Sequence, residues 1–192
     1  MMSSDWLKIK RIHAEKLLSI IVKRQILKKG NFALHLGHST EYYLDFRLVP
    51  SHPNDFIDVC TAYADLIKNE ISEFDALTGV AYSAIPFAAG TSVRLNVPYI
   101  LMEKIEKEGS LRTPVYGHIK KGDRIVILDD VSASGVTLLC VASVLRALGG
   151  VVKDVVVLVD REQGADKVLS EQGINLHYYL KLSEILSYVS SR

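Results

Sequence analysis

Over residues 13–29, apolar side chains recur every three or four positions (Leu17, Leu18, Ile21, Val22, Ile26), which predicts an amphipathic helix closed by Gly30. The period then shortens to two. Residues 32–36 and 42–48 predict short strands around Gly37-His38-Ser39-Thr40, a hairpin standing outside the main core. Pro53 opens a helix running to about residue 71. From Asp75 onward, strands predicted over 76–81, 98–102, 124–128, 155–159 and 174–180 alternate with helices over 86–95, 137–148, 165–172 and 183–189. A polar stretch over 103–117 interrupts the series. Near-continuous apolar strands separated by helices predict an α/β fold whose parallel central sheet is flanked by helices. Such sheets bind ligands at the carboxyl ends of their strands. The expectation is one domain, with an N-terminal hood over about 10–50 and a core over about 53–192.

Bulk properties mainly exclude. The 192 residues suffice for one buried core. A formal net charge of +1, with Lys and Arg scattered among acids, argues against nucleic-acid partners and against a membrane-surface binder. No apolar run reaches the ~20 residues of a membrane span, and residues 1–6 lack the apolar stretch of a signal peptide. A cytoplasmic protein is expected. Cys60 and Cys140 sit among apolar residues in helical patterns and are expected to be reduced core thiols, not a disulfide or a metal pair.

The chemistry concentrates after Arg124-Ile-Val-Ile-Leu, where Asp129-Asp130-Val131-Ser132-Ala133-Ser134-Gly135-Val136-Thr137 runs into an apolar helix. A strand delivers two carboxylates to its end, and a loop of small and hydroxyl residues leads to a helix N-terminus. Loop and first-turn amides lack intrahelical partners and form an anion site with the helix dipole. Ser132, Ser134 and Thr137 would add hydroxyl donors, and Gly135 would let the backbone approach a phosphate. Two acids beside an anion site suit a ligand that also offers hydroxyls or a cation, as a phosphorylated sugar does. Neither a GxxxxGK[ST] nor a GxGxxG loop is present.

This segment resembles the signature of the phosphoribosyltransferases, and nearly the whole chain looks closest to orotate phosphoribosyltransferase, especially its archaeal forms. The run from Gln25 through His35 to Gly37, continuing Thr40-Glu41-Tyr42-Tyr43-Leu44-Asp45, is similar to that family's hood. Gly79-Val80-Ala81-Tyr82-Ser83-Ala84-Ile85-Pro86 falls where the family contacts pyrophosphate, and Val159-Asp160-Arg161 where an arginine meets the substrate carboxylate.

The resemblance implies transfer of a phosphoribosyl group from phosphoribosyl pyrophosphate to orotate, in pyrimidine biosynthesis. It implies Mg²⁺ held mainly by ligand oxygens and water, with no direct protein ligand, and a homodimer. Asp129 and Asp130 would bind the ribose hydroxyls or support a positive ring. Ser132, Ala133, Ser134, Gly135, Val136 and Thr137 would hold the 5′-phosphate; Ala81, Tyr82, Ser83 and Ala84 would contact pyrophosphate. Arg161 would meet the base, together with Phe32, His35, Tyr42 and Tyr43. From the residues alone Arg161 fits equally well as a surface ion pair with Asp160 or Glu162. In the family's catalytic-loop position Lys104 and Lys107 keep the lysine spacing, while Glu103 stands in place of an arginine and no histidine precedes Gly109. Two further readings therefore stay open: a sensor that binds phosphoribosyl pyrophosphate or a nucleotide, and a transferase for another base.

Overall fold

The computed structural model of the protein describes residues 3–33, 39–102 and 115–191. Helix α1 (Ser4–Lys23) begins nine residues before the expected start and stops six before the expected end. The Ser3 hydroxyl caps its start by accepting the Trp6 N–H at 3.1 Å, and the Trp6 ring is buried. Its C-terminus closes as a Schellman turn. Gln25 takes a left-handed φ of 51°, its N–H reaches the Val22 carbonyl at 3.1 Å, and the Ile26 N–H reaches Ile21 at 2.9 Å. Ile26 is fully buried beyond the turn, so its spacing imitated one more helical position.

Gly30 is no helix cap. It lies inside β1 (Leu27–Ala33), which pairs antiparallel with β2 (Ser39–Leu44), placing Lys28 opposite Tyr43 and Lys29 opposite Tyr42. The hairpin is therefore present, with its strands displaced toward the N-terminus. Residues 45–48 leave the sheet, and a 3₁₀ segment, Phe46–Ser51, buries Phe46 and Val49 before Pro53 opens α2 (Pro53–Glu70).

The central sheet then follows: β3 (Ala76–Gly79), α3 (Ala81–Leu95), β4 (Tyr99–Met102), β5 (Val115–Tyr116), β6 (Ile125–Ser132), α4 (Val136–Ala147), β7 (Asp154–Asp160), α5 (Ala165–Ser170), β8 (Asn175–His177), β9 (Leu180–Lys181) and α6 (Leu182–Ser190). The expected strand over 174–180 is divided into β8 and β9, which both pair with β7. The order is β5-β4-β3-β6-β7-β8, parallel except for β5 against β4. Alternation along β6 and β7 assigns the two faces. Val126, Leu128, Val156 and Leu158 join the core built with α1 and α2, while Ile125, Ile127, Val155 and Val157 join the core with α4 and α5. Among the described residues no helix is long and apolar enough to cross a membrane. Cys60 is buried as expected, but Cys140 points outward from α4 and is exposed, so it is not a core thiol.

One feature of this order positions the chemistry. From β3 the chain moves outward to β4; from β6 it moves the opposite way to β7 and β8. β3 and β6 therefore flank a topological switch point, where diverging connections leave a crevice beyond the carboxyl ends of the strands.

Candidate active site

Both acids stand at that crevice. β6 runs four residues further than expected, through Asp129 and Asp130 to Ser132, because Val131 and Ser132 still pair with Val159 and Asp160 of β7. Asp130 is buried, and its Oδ1 accepts a hydrogen bond from the Ser83 hydroxyl at 3.1 Å, directly across the switch point from α3. The Asp129 Oδ1 accepts the Asp130 N–H at 2.9 Å, while the buried Tyr63 hydroxyl of α2 donates to the Asp129 carbonyl at 2.6 Å. Burial, then the neighbouring Asp130 charge, pushes the Asp129 carboxyl well above the usual carboxylate range. Burial raises Asp130 as well, against the bonds from Asp129 and Ser83 that favour its charged form. The two acids are held as an electrostatically loaded pair, which a cation or a positively charged ligand would relieve.

Two helix N-termini lie at the same end of the sheet. α4 begins at Gly135, φ 81°, with no side chain capping it, and the Leu139 N–H is the first to find a carbonyl within the turn, on Gly135 at 3.0 Å. Ser134, Val136 and Thr137 are exposed around those amides. Gly135 is demanded less by ligand approach than by its neighbour: a Cβ there would lie 3.1 Å from the Ala165 Cα. The Ala133 carbonyl accepts the Ala165 N–H at 3.1 Å, which ties the loop to the start of α5. Ser132 departs from expectation. Its hydroxyl is buried and donates to Asp160 Oδ1 at 2.8 Å, so it is committed to β7 and is not a free donor for an anion. α3 starts at Ala81, not at Pro86, which lies inside the helix. The expected pyrophosphate segment is thus its first turn, again without a side-chain cap; Tyr82 is exposed and Ala84 buried.

Arg161 follows β7, and it is neither at the surface nor paired with Asp160 or Glu162. It is 8 % exposed, and its Nη2 donates to the Thr40 Oγ1 at 2.6 Å and the Tyr42 carbonyl at 3.2 Å, both in β2. Asp160 Oδ1 is occupied by Ser132 and by the Glu162 N–H at 3.2 Å; Glu162 Oε2 accepts the Ser183 N–H. Burial pulls the guanidinium below its ordinary pKa. Within the hairpin, the rings of Phe32 and Tyr43 lie 5.5 Å apart. The Arg47 guanidinium stands 5.8 Å over the Tyr43 ring and grips buried Asp45 through Nε at 2.7 Å and Nη2 at 3.1 Å. That bond to Asp45 foremost, and the charge of Asp130 last, raise the Arg47 guanidinium above its ordinary value. His35, Lys104 and Lys107, with Glu103 and Arg112, lie outside the described residues.

The structure therefore brings together Asp129, Asp130, Ser83, the 133–137 loop and Arg161, and adds Thr40, Arg47 and Tyr63, which no local motif announced. Tyr63 reaches Asp129 across 66 positions and Thr40 reaches Arg161 across 121, separations without a local signal.

The chain matches the phosphoribosyl transferase domain family over residues 51–172. It is 35 % identical over 169 residues to the orotate phosphoribosyltransferase of Sulfolobus acidocaldarius, covering 87 % of this chain and 83 % of that protein. It is 36 % identical over 158 residues, 82 % of the chain, to the bifunctional enzyme PyrF/PyrE of a Nostoc species, of which it spans 33 %. The crystal structure of orotate phosphoribosyltransferase from Aeropyrum pernix superposes with a TM-score of 0.79 at 29 % identity, covering 92 % of this chain and 99 % of that one.

Proposed function

Since this chain belongs to the phosphoribosyltransferase family, among its orotate phosphoribosyltransferases, we propose that it transfers the 5-phosphoribosyl group of phosphoribosyl pyrophosphate to orotate, yielding orotidine monophosphate and pyrophosphate for pyrimidine biosynthesis. The observation that carries this reading is the gathering, at the carboxyl end of the sheet, of a loaded acid pair, two uncapped helix N-termini and a buried arginine with no carboxylate partner among the described residues. Each matches one part of the reactants. The first turn of α4 with Ala133, Ser134, Gly135, Val136 and Thr137 receives the 5′-phosphate, through amides and two exposed hydroxyls. The first turn of α3, Ala81 to Ala84, receives the pyrophosphate. Asp129 and Asp130 hold the ribose hydroxyls. Arg161 meets the orotate carboxylate, and Phe32, Tyr42 and Tyr43 border the base.

In the reaction the bond from the ribose anomeric carbon to pyrophosphate breaks and a bond from the base nitrogen to that carbon forms. Positive charge grows on the ring between the two. With Asp130 buried and Asp129 partly buried, these carboxylates are poorly solvated and gain attraction as that charge appears, without needing to reorganise. Fixing both reactants in one crevice supplies the remaining advantage. The resemblance implies Mg²⁺ held by substrate oxygens and water, and the charge on Asp129 and Asp130 is what such a cation would offset. When bound, Mg²⁺ would neutralise charge on the leaving pyrophosphate. The resemblance further implies a cytoplasmic homodimer, which sedimentation velocity checks as a mass near twice that of the chain.

A steady-state assay with orotate, phosphoribosyl pyrophosphate and Mg²⁺ tests the reading. Orotidine monophosphate and pyrophosphate should appear in equal amounts. Tight binding of phosphoribosyl pyrophosphate with no turnover would instead point to a sensor, and turnover with a different base only would reassign the substrate.

A further inference from the structure

Thr40 belongs to the hood, and its hydroxyl is one point at which the hood grips the core. The Oγ1 accepts from Arg161 Nη2 at 2.6 Å and from the Tyr42 N–H at 3.3 Å, and donates to the Tyr42 carbonyl at 3.0 Å. Its proton and its lone pairs are thus all engaged, which fixes the rotor. Both Nη2 hydrogens of Arg161 are used as well, one on Thr40 and one on the Tyr42 carbonyl. The guanidinium plane is therefore set by strand β2. The hydrogens on Nε and Nη1 have no partner among the described residues. An arginine side chain is long and rotamer-rich, and a buried one without a carboxylate would otherwise lose its orientation between turnovers.

We infer that Thr40 is a positioning residue for base selection: it holds Arg161 by one nitrogen so that its other donors are presented to the acid group of the base. The inference rests on the reading of Arg161 given above, and extends it to a residue that touches no substrate. It also connects the hood to the specificity of the core. The contact joins residues 121 apart, so it exists only when the hairpin is docked on β7.

Kinetics of Thr40→Val, Thr40→Ala and Thr40→Ser test this, with circular dichroism to confirm folding. A hydrogen bond to a charged group is strong enough that its loss should raise the KM for orotate about tenfold in the Val and Ala variants. The KM for phosphoribosyl pyrophosphate should stay within about twofold, and Thr40→Ser, which keeps the hydroxyl, should stay close to wild type. A merely structural role would move both KM values together, and that result overturns the inference, as does an unchanged orotate KM in both variants lacking the hydroxyl. If the wild-type protein does not use orotate at all, the reading under Proposed function fails and this inference falls with it.

Discussion

Asp130 shows how a single carboxylate can serve function at the expense of stability. Its pKa and that of Asp129 are raised in the folded protein, so between the ordinary carboxylate range and those raised values the native state binds more protons than the unfolded chain. Stability contributed by the protonated pair is present at low pH and lost as pH climbs through that window. Asp130→Asn keeps an acceptor for the Ser83 hydroxyl and removes one of the two repelling charges. We predict that it raises the melting temperature by about 2–4 °C at pH 7.5, an effect of about 1 kcal/mol for a chain of this size, with the gap closing near pH 4. In the same variant turnover should fall at least about tenfold. Scanning calorimetry across pH checks the first outcome; an equal or lower melting temperature at pH 7.5 would contradict it. Twin acids, hydroxyls and glycine were legible in the sequence because they are contiguous. The commitment of Ser132 to Asp160 and of Arg161 to Thr40 was not, since a hydroxyl beside a phosphate loop reads the same whichever way it turns.

The segments that join strands and helices carry the next layer. Gly135 links β6 to α4 at φ 81°, and a side chain there would meet the Ala165 backbone. Gly135→Ala should cost about 1–3 kcal/mol by strain and crowding together, and should weaken phosphoribosyl pyrophosphate binding as α4's start is pushed away. Urea denaturation reads the first effect; stability within 0.5 kcal/mol or so of wild type would show that the loop accommodates the methyl group. Gln25 offers the opposite case. It closes α1 in the left-handed region at φ 51°, where glycine has no Cβ penalty, so Gln25→Gly should stabilise by roughly 0.5–1 kcal/mol in the same measurement. Destabilisation would mean that the Gln25 side chain contributes more than its backbone costs. These positions also show why some boundaries could be foreseen and others not. The buried runs of β6 and β7 announced themselves through β-branched residues. β1, with Lys28, Lys29, Gly30 and Asn31, has almost no strand propensity and exists because β2 offers it a ladder. The end of α1 was hidden because Ile26 remains in the core after the helix has stopped.

Across the fold, the far side of the sheet is held by a charged cluster remote from the twin acids. His177 of β8 bonds Glu70 of α2 through Nδ1 at 3.1 Å and Asp154 of β7 through Nε2 at 2.9 Å. Glu70 also accepts from Trp6 at 3.1 Å and Lys10 at 2.7 Å, which brings α1 into the same cluster. Burial alone would lower the His177 pKa, but its bonds to Asp154 and Glu70 lift it to about 9. Burial would raise Glu70, yet bonds from His177 and Lys10 bring it down to about 2. The histidine's contribution is therefore complete below its ordinary value of 6.5 and is lost as pH rises through about 9. The glutamate's is complete above its ordinary value of 4.5 and is lost as pH falls toward 2. His177→Ala leaves two acids facing each other without their shared partner, and should destabilise by about 3 kcal/mol at pH 7. Guanidinium denaturation at pH 7 and pH 9.5 checks this, since the penalty should shrink at the higher pH; a penalty equal at both would show that the charge on His177 is irrelevant.

The crevice between β3 and β6 is the place where a phosphorylated ribose would be gripped. Titration calorimetry of phosphoribosyl pyrophosphate with Mg²⁺ into the wild-type protein and into Asp130→Asn decides it. Saturable binding of one ligand per chain, weakened about tenfold or more by the substitution while the fold stays intact, is the expected result. Undiminished affinity in Asp130→Asn would place the ligand elsewhere on the protein.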